Sequence, residues 1–212
     1  MLMSTGMAVN RPPSFTAGCR YAILPSRSLI PDMSQSHTLE VLIDRRKIAR
    51  AVRRLAREIT RDYRYKRPVV VGILTGSFVF LADLIRNLDL PLEVEFVGLS
   101  SYGGGTESSG RVKITKRLKK PVTGRHVLIV EDIIDTGLTV SCLLDRLSRE
   151  NPESIRVCAL TDKPSRRKAR VNIDYLGFTV PDRFIVGYGI DWDGKYRYLP
   201  DICCVETGKK SS

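Results

Sequence analysis

Between Asp44 and Tyr63, Ile48, Val52, Leu55 and Ile59 recur every three or four positions, with arginine and lysine between them. That period buries one side of a helix. Asp44 supplies a side-chain cap, and Pro68 closes the segment. The pattern then changes. Val69–Leu74 is a continuous apolar run, β-branched at its start, which predicts a strand buried on both faces. Thr75-Gly76-Ser77 predicts a turn, Phe78–Leu88 a helix and, beyond Pro91, Leu92–Ser100 a second strand. Residues 102–110 hold too much glycine and serine to fix a shape alone. Arg111–Lys116 alternates like an exposed strand, and a basic loop runs on to Arg125. Val127–Val130 is the next buried strand, Leu138–Arg149 a helix stopped by Asn151-Pro152, and Ile155–Leu160 a further strand. Shorter strand candidates follow at Tyr175–Val180, Phe184–Tyr188 and Ile202–Val205.

Strands and helices alternate from residue 69 to 160, and the strands are too apolar for one face to meet water. This predicts an α/β fold, a mainly parallel central sheet flanked by helices. Ligands in such sheets bind beyond the carboxyl ends of the strands, which directs attention to the loops at Thr75, Ser100, Glu131 and Asp162. The first 36 residues mix serine, proline, arginine and methionine without an apolar middle. They are expected to be an extension outside the fold, with Met33 an alternative start. Residues 37–208 form the domain and 209–212 a tail.

Composition alters this picture in two ways. The net charge of +12 favours anionic partners, set against the plainer reading of a solvated basic surface. The same weighing makes the basic helix at 44–63 a covering helix with a solvated face, in preference to a membrane-surface or nucleic-acid helix. The five cysteines, Cys19, Cys142, Cys158, Cys203 and Cys204, show no metal-ligand spacing, and adjacent Cys203 and Cys204 suit a bridge poorly. Reduced thiols in a cytosol are the simplest account. No apolar run approaches the ~20 residues that span a bilayer.

The chemistry concentrates in VLIVEDIIDTGLT, Val127–Thr139. Asp135, Thr136, Gly137, Leu138 and Thr139 lie where a strand becomes a helix, so free amides and the positive end of the helix dipole face outward as a phosphate cradle. Gly137 allows close approach, and the Thr136 and Thr139 hydroxyls add donors. The spaced glycines and Gly-Lys-Ser/Thr ending of an ATP-type loop are missing. Glu131 and Asp132 come off the strand end, placed for sugar hydroxyls or a metal ion. Asp135 sits at the rim, where a carboxylate is unfavourable unless it takes a proton or a donor from a substrate. One acid could simply cap the helix; three fit that account poorly.

The segment resembles the phosphoribosyl-pyrophosphate signature of the type I phosphoribosyltransferases. The chain from about residue 38 to 208 resembles their bacterial hypoxanthine-guanine branch through LTGSFVFLADL, SSYGGG, VLIVEDIIDTGLT, LTDKPSRR, DRFIVGYGID and YRYLPDI, in that order. The resemblance implies a central parallel sheet with a small hood made from the chain ends. It also implies transfer of a phosphoribosyl group to a 6-oxopurine with Mg2+, and a cytoplasmic dimer or tetramer.

By that resemblance, residues Asp135 to Thr139 hold the 5-phosphate, and Glu131 and Asp132 meet the ribose hydroxyls and the magnesium shell. Asp135 is the acid at purine N7. Lys163 donates to O6, accepting an oxo group and clashing with an amino group. Phe184 stacks on the base, Ile185 reads its edge through the backbone, and Arg183 precedes them. Asp191 faces the magnesium–pyrophosphate assembly through water, and Arg197 contacts pyrophosphate. Leu74–Thr75 is expected to be cis, presenting the amides of Gly76 and Ser77. Thr75 stands where the family more commonly has lysine, which leaves a side-chain role there in doubt. Ser101 and Tyr102 open a loop that closes over the reacting centre. A rival from another class is an RNA-binding regulator of the same fold. Lys163, Phe184 and Asp191 in register disfavour it.

Overall fold

The computed structural model describes residues 38–101 and 112–206. The expected extension, most of the Gly-rich loop including Tyr102, and the tail lie outside the described residues. Thirteen elements follow in order. They are β1 (Thr38–Ile43), α1 (Arg45–Asp62), β2 (Val69–Leu74), α2 (Phe78–Asn87), β3 (Glu93–Ser101), β4 (Val112–Lys116), β5 (His126–Ile134), α3 (Leu138–Ser148), β6 (Ser154–Asp162), a 3-10 turn (Pro164–Arg166), β7 (Tyr175–Thr179), β8 (Ile185–Val186) and β9 (Ile202–Glu206).

The central sheet runs β4-β3-β2-β5-β6-β7, with β4 alone antiparallel to its neighbour. Side-chain alternation along its strands divides the core in two. Val70, Leu128, Val130, Cys158 and Leu160 join Ile48, Val52, Leu55 and Ile59 of α1 and Phe80, Leu81 and Leu84 of α2. Val69, Val71, Ile73, Val127, Ile129, Val157 and Ala159 join Val140, Leu143 and Leu147 of α3 on the other face. The continuous apolar runs are therefore sandwiched, as a parallel sheet requires. Asp44 caps α1 by accepting from the amides of Arg46 and Lys47 at 2.9 and 3.0 Å.

A second, three-stranded antiparallel sheet, β1-β9-β8, joins the two ends of the described chain as the hood. Its strand β1 was not expected from the pattern. Its strand β8 is shorter than the Phe184–Tyr188 expectation, because Gly187, Tyr188 and Gly189 all take positive φ and turn the chain away.

Two features position the site. Crossovers leave β2 toward β3 and β5 toward β6, so strand order reverses between β2 and β5, where open α/β sheets bind ligands. There the two strands also part: their pairing stops at Gly72–Val130, while β5 continues alongside β6 as far as Ile134–Asp162. Glu131 and Asp132 are thus inside a strand that runs four residues past the end of the apolar run.

Candidate active site

A cavity of about 400 Å³ opens where β2 and β5 diverge. Thr75, Gly76, Glu131, Asp132, Asp135, Thr136, Gly137, Thr139, Asp191 and Arg197 line it, together with apolar Ile73, Leu99 and Ile190. Ten of the residues singled out by sequence therefore share one space.

Its floor is acidic. Glu131 and Asp132 are 7% and 6% exposed, and Glu131 Oε2 is buried with no hydrogen-bond partner. Burial, then the neighbouring Asp132 charge, pushes the Glu131 carboxyl well above the usual carboxylate range. Burial likewise raises Asp132 to about 6, against the opposing pull of two backbone amides and the Arg197 charge. Two buried carboxyls without a fixed cation suit hydroxyl donors or a positive charge arriving with a ligand. No group of three or more His, Cys, Asp or Glu side chains converges on a metal position among the described residues. Asp191, expected to face the magnesium shell, lines the same cavity and pairs with Arg197 at 2.7 Å. Arg197 also donates to the Gly189 carbonyl at 2.6 Å.

The opposite wall is built from amides. The Leu74–Thr75 peptide is cis. Gly76 is demanded by crowding: a Cβ there would sit 2.1 Å from Asp132 Oδ2. Ser77 does not reach the cavity. It is fully buried, and its hydroxyl donates to the Ile73 carbonyl at 2.7 Å, fastening the turn to β2. At the start of α3, Gly137 takes φ +80 in the left-handed region, where glycine is at ease. The first amides of the helix have no intrahelical acceptor. That of Leu138 leans on Thr136 Oγ1 at 3.4 Å. Leu138 itself does not line the cavity; it contributes backbone only.

The segment after β6 wraps this cradle. Lys168 and Ala169 amides both donate to the Thr136 carbonyl, at 2.8 and 3.0 Å, and Arg167 pairs with Asp162. Arg166 Nε lies 3.4 Å from Asp135 Oδ1, close in charge but poorly aligned, so that this oxygen still lacks a hydrogen bond. Sequence reading assigned Arg166 and Arg167 no role; the basic pair behind Lys163-Pro164 was the available signal.

Lys163, Arg183, Phe184 and Ile185 do not line the cavity, yet hydrogen bonds tie Lys163, and through it Arg183, to a residue that does. The Lys163 amide donates to the Ile134 carbonyl at 2.9 Å, next to Asp135. Its ammonium, on a side chain only 4% exposed, donates to the Arg183 carbonyl at 2.9 Å, with Asp182 at 3.9 Å. The Arg183 guanidinium points elsewhere, to Glu40 at 2.6 Å and Glu206 at 3.2 Å on the hood. Phe184 is half exposed and meets Trp192 edge-on at 5.6 Å, leaving ring surface for a flat partner. Ile185 is buried in β8. Ser101 ends β3, with its backbone in the strand.

The family model described as "phosphoribosyl transferase domain" matches residues 39–193, nearly the whole described chain. The chain belongs to the phosphoribosyltransferase family. Among curated phosphoribosyltransferases, the hypoxanthine-guanine phosphoribosyltransferase of Aquifex aeolicus is 47% identical over 169 residues, covering 79% of this chain and 95% of the relative. That of Bacillus subtilis is 47% identical over 167 residues, covering 78% and 93%. A solved hypoxanthine phosphoribosyltransferase from Staphylococcus aureus superposes with a TM-score of 0.76 at 42% identity, covering 79% of this chain and 91% of that one. For a phosphoribosyltransferase the acid floor and amide walls become intelligible, since sugar hydroxyls and phosphates arrive on one substrate.

Proposed function

We propose that the protein transfers the 5-phosphoribosyl group of phosphoribosyl pyrophosphate to N9 of a 6-oxopurine, hypoxanthine or guanine. The products are IMP or GMP and pyrophosphate, a purine-salvage reaction. Lys163 carries the assignment of the base. Its nearly buried ammonium, hung on the Arg183 carbonyl beside Ile134, can only donate. A 6-oxo group satisfies it; a 6-amino group leaves two donors facing each other, and buried mismatches of this kind discriminate strongly.

In this reading the α3 cradle of Asp135 to Thr139 holds the 5-phosphate, and Glu131 and Asp132 accept the ribose hydroxyls. The Gly76 turn and Arg197 face the diphosphate. N9 forms its bond to C1 of the sugar as the C1–oxygen bond to pyrophosphate breaks, and Asp135 takes the proton carried on N7. The free oxygen of Asp135 suits that transfer. Phe184 stacks on the base. Bound Mg2+ would neutralise diphosphate charge, mostly through substrate oxygens and water as this ion prefers, with Glu131, Asp132 and Asp191 lining the cavity to meet its water shell. Thr75 offers no cation at the turn, so Arg197 is the positive group lining that end of the cavity. The working unit is read as a homo-oligomer in a cytosol. For the cytosol, the four described cysteines are free thiols.

The test is nucleotide formation from hypoxanthine, guanine, xanthine and adenine with phosphoribosyl pyrophosphate and magnesium. Conversion of oxopurines with adenine left untouched is expected. Comparable turnover of adenine would overturn the role given to Lys163.

A further inference from the structure

The outer face of α1 carries a charge pattern that the transferase site does not use. At 100° per residue, Arg46, Arg50, Arg53, Arg57 and Arg61 point in one direction, and Arg64 stands in the turn that follows. No other residue type falls in that row, and all six are exposed. It lies opposite the buried stripe of Ile48, Val52, Leu55 and Ile59. Arg61 makes an ion pair, with Asp62 at 3.0 Å, and Asp44 at the helix cap feels the Arg50 charge. The other five make no ion pair among the described residues, and the acids of the helix, Glu58 and Asp62, are committed to Arg54, Arg61 and Arg156. The helix thus presents a row of guanidinium groups about 22 Å long from Arg46 to Arg61, at 1.5 Å per residue, with Arg64 in the turn beyond it.

A face needing only to be wet gains nothing from six arginines and no lysine. Their planar forks match phosphate oxygens in pairs. The row contains no exposed apolar residue, which argues against insertion into a lipid surface. At its end Tyr65 is 93% exposed, with the Arg64 guanidinium 5.3 Å from its ring centre. A cationic track ending in an exposed aromatic is how proteins hold single strands without reading sequence. We infer that the outer face of α1 binds single-stranded nucleic acid through its phosphates, independently of the transferase cavity, which none of these residues lines.

The probe is a fluorescein-labelled 20-nucleotide strand of mixed sequence, as RNA and as DNA, titrated with the full chain and read by anisotropy. Five phosphate contacts to a single strand should weaken binding about 100-fold between 50 and 200 mM salt. Binding of the RNA or of the DNA strand alone would name the source. The triple charge reversal Arg50→Glu, Arg53→Glu, Arg57→Glu should abolish binding while nucleotide formation stays at the wild-type rate. The matching triple replacement by lysine should retain the salt dependence, and Tyr65→Ala should weaken both strands. Absence of binding at 50 mM salt, equal binding by the reversed variant, tighter binding to a duplex, or tighter binding to phosphatidylserine vesicles or polyglutamate would each overturn the assignment.

Discussion

Replacing Asp132 with asparagine should make the ligand-free protein more stable while destroying its use of phosphoribosyl pyrophosphate. The carboxyl is 6% exposed and raised from 3.8 to about 6, chiefly by burial. A shift of that size, at ~1.36 kcal/mol per unit, means the folded state carries a penalty of about 3 kcal/mol once the group ionises. The sign follows from proton binding. Between pH 4 and 6 the folded state holds the proton more tightly than the unfolded chain, so wild-type stability falls as pH rises through that window and then levels. Asparagine never ionises, fits the space against Gly76, and keeps one acceptor for the two backbone amides. A net gain of about 2 kcal/mol above pH 6 is therefore expected, or roughly 4–8 °C in Tm for a chain of this size. At pH 4 most of the gain should be gone, because the folded acid is then protonated and the unfolded one, with its ordinary pKa of 3.8, is about half protonated. Thermal melts of both proteins across pH 4 to 8, without ligand, measure it. A variant destabilised equally at every pH would show that the carboxylate is held by a permanent partner and that burial is not its dominant influence.

The same geometry makes other outcomes measurable. Asp135→Asn should retain the fold and substrate affinity but lower kcat by ~10²–10⁴-fold; a variant at the wild-type rate would remove Asp135 from proton transfer. Lys163→Ala should weaken binding of oxopurines and narrow their advantage over adenine, and unchanged selectivity in competition assays would refute the donor role. Gly76→Ala forces a methyl group to within 2.1 Å of Asp132 Oδ2, so the turn or the acid must move. A loss of about 10²-fold in kcat/KM for phosphoribosyl pyrophosphate is expected, and full efficiency would mean the crowding is relieved elsewhere.

The sequence announced some of this arrangement and concealed the rest for physical reasons. β2 was readable to the residue, because an unbroken apolar run stands between Pro68 and a Thr-Gly-Ser turn. β5 was read four residues short. Glu131 and Asp132 are poor strand formers, and only their pairing with the long β6 keeps them extended. β1 left no local mark: its burial pattern is mostly exposed, and its partner β9 lies at the far end of the chain. The strand-to-helix turn at Asp135–Thr139 and the acids before it were visible as a motif. The reach of Arg166 toward Asp135, and the engagement of Arg183 with the hood, come from tertiary approach that spacing cannot encode.

On the role proposed for Lys163, that last engagement ties nucleobase choice to the margin of the molecule. The carbonyl orienting Lys163 belongs to the residue whose guanidinium is clasped by Glu40 on β1 and Glu206 on β9. Shortening the chain from its beginning past Glu40, or trimming its end before Glu206, would free Arg183 to swing and let its carbonyl drift. Fidelity toward oxopurines would then erode through cuts that touch no residue of the cavity, so the extremities act as anchors for discrimination.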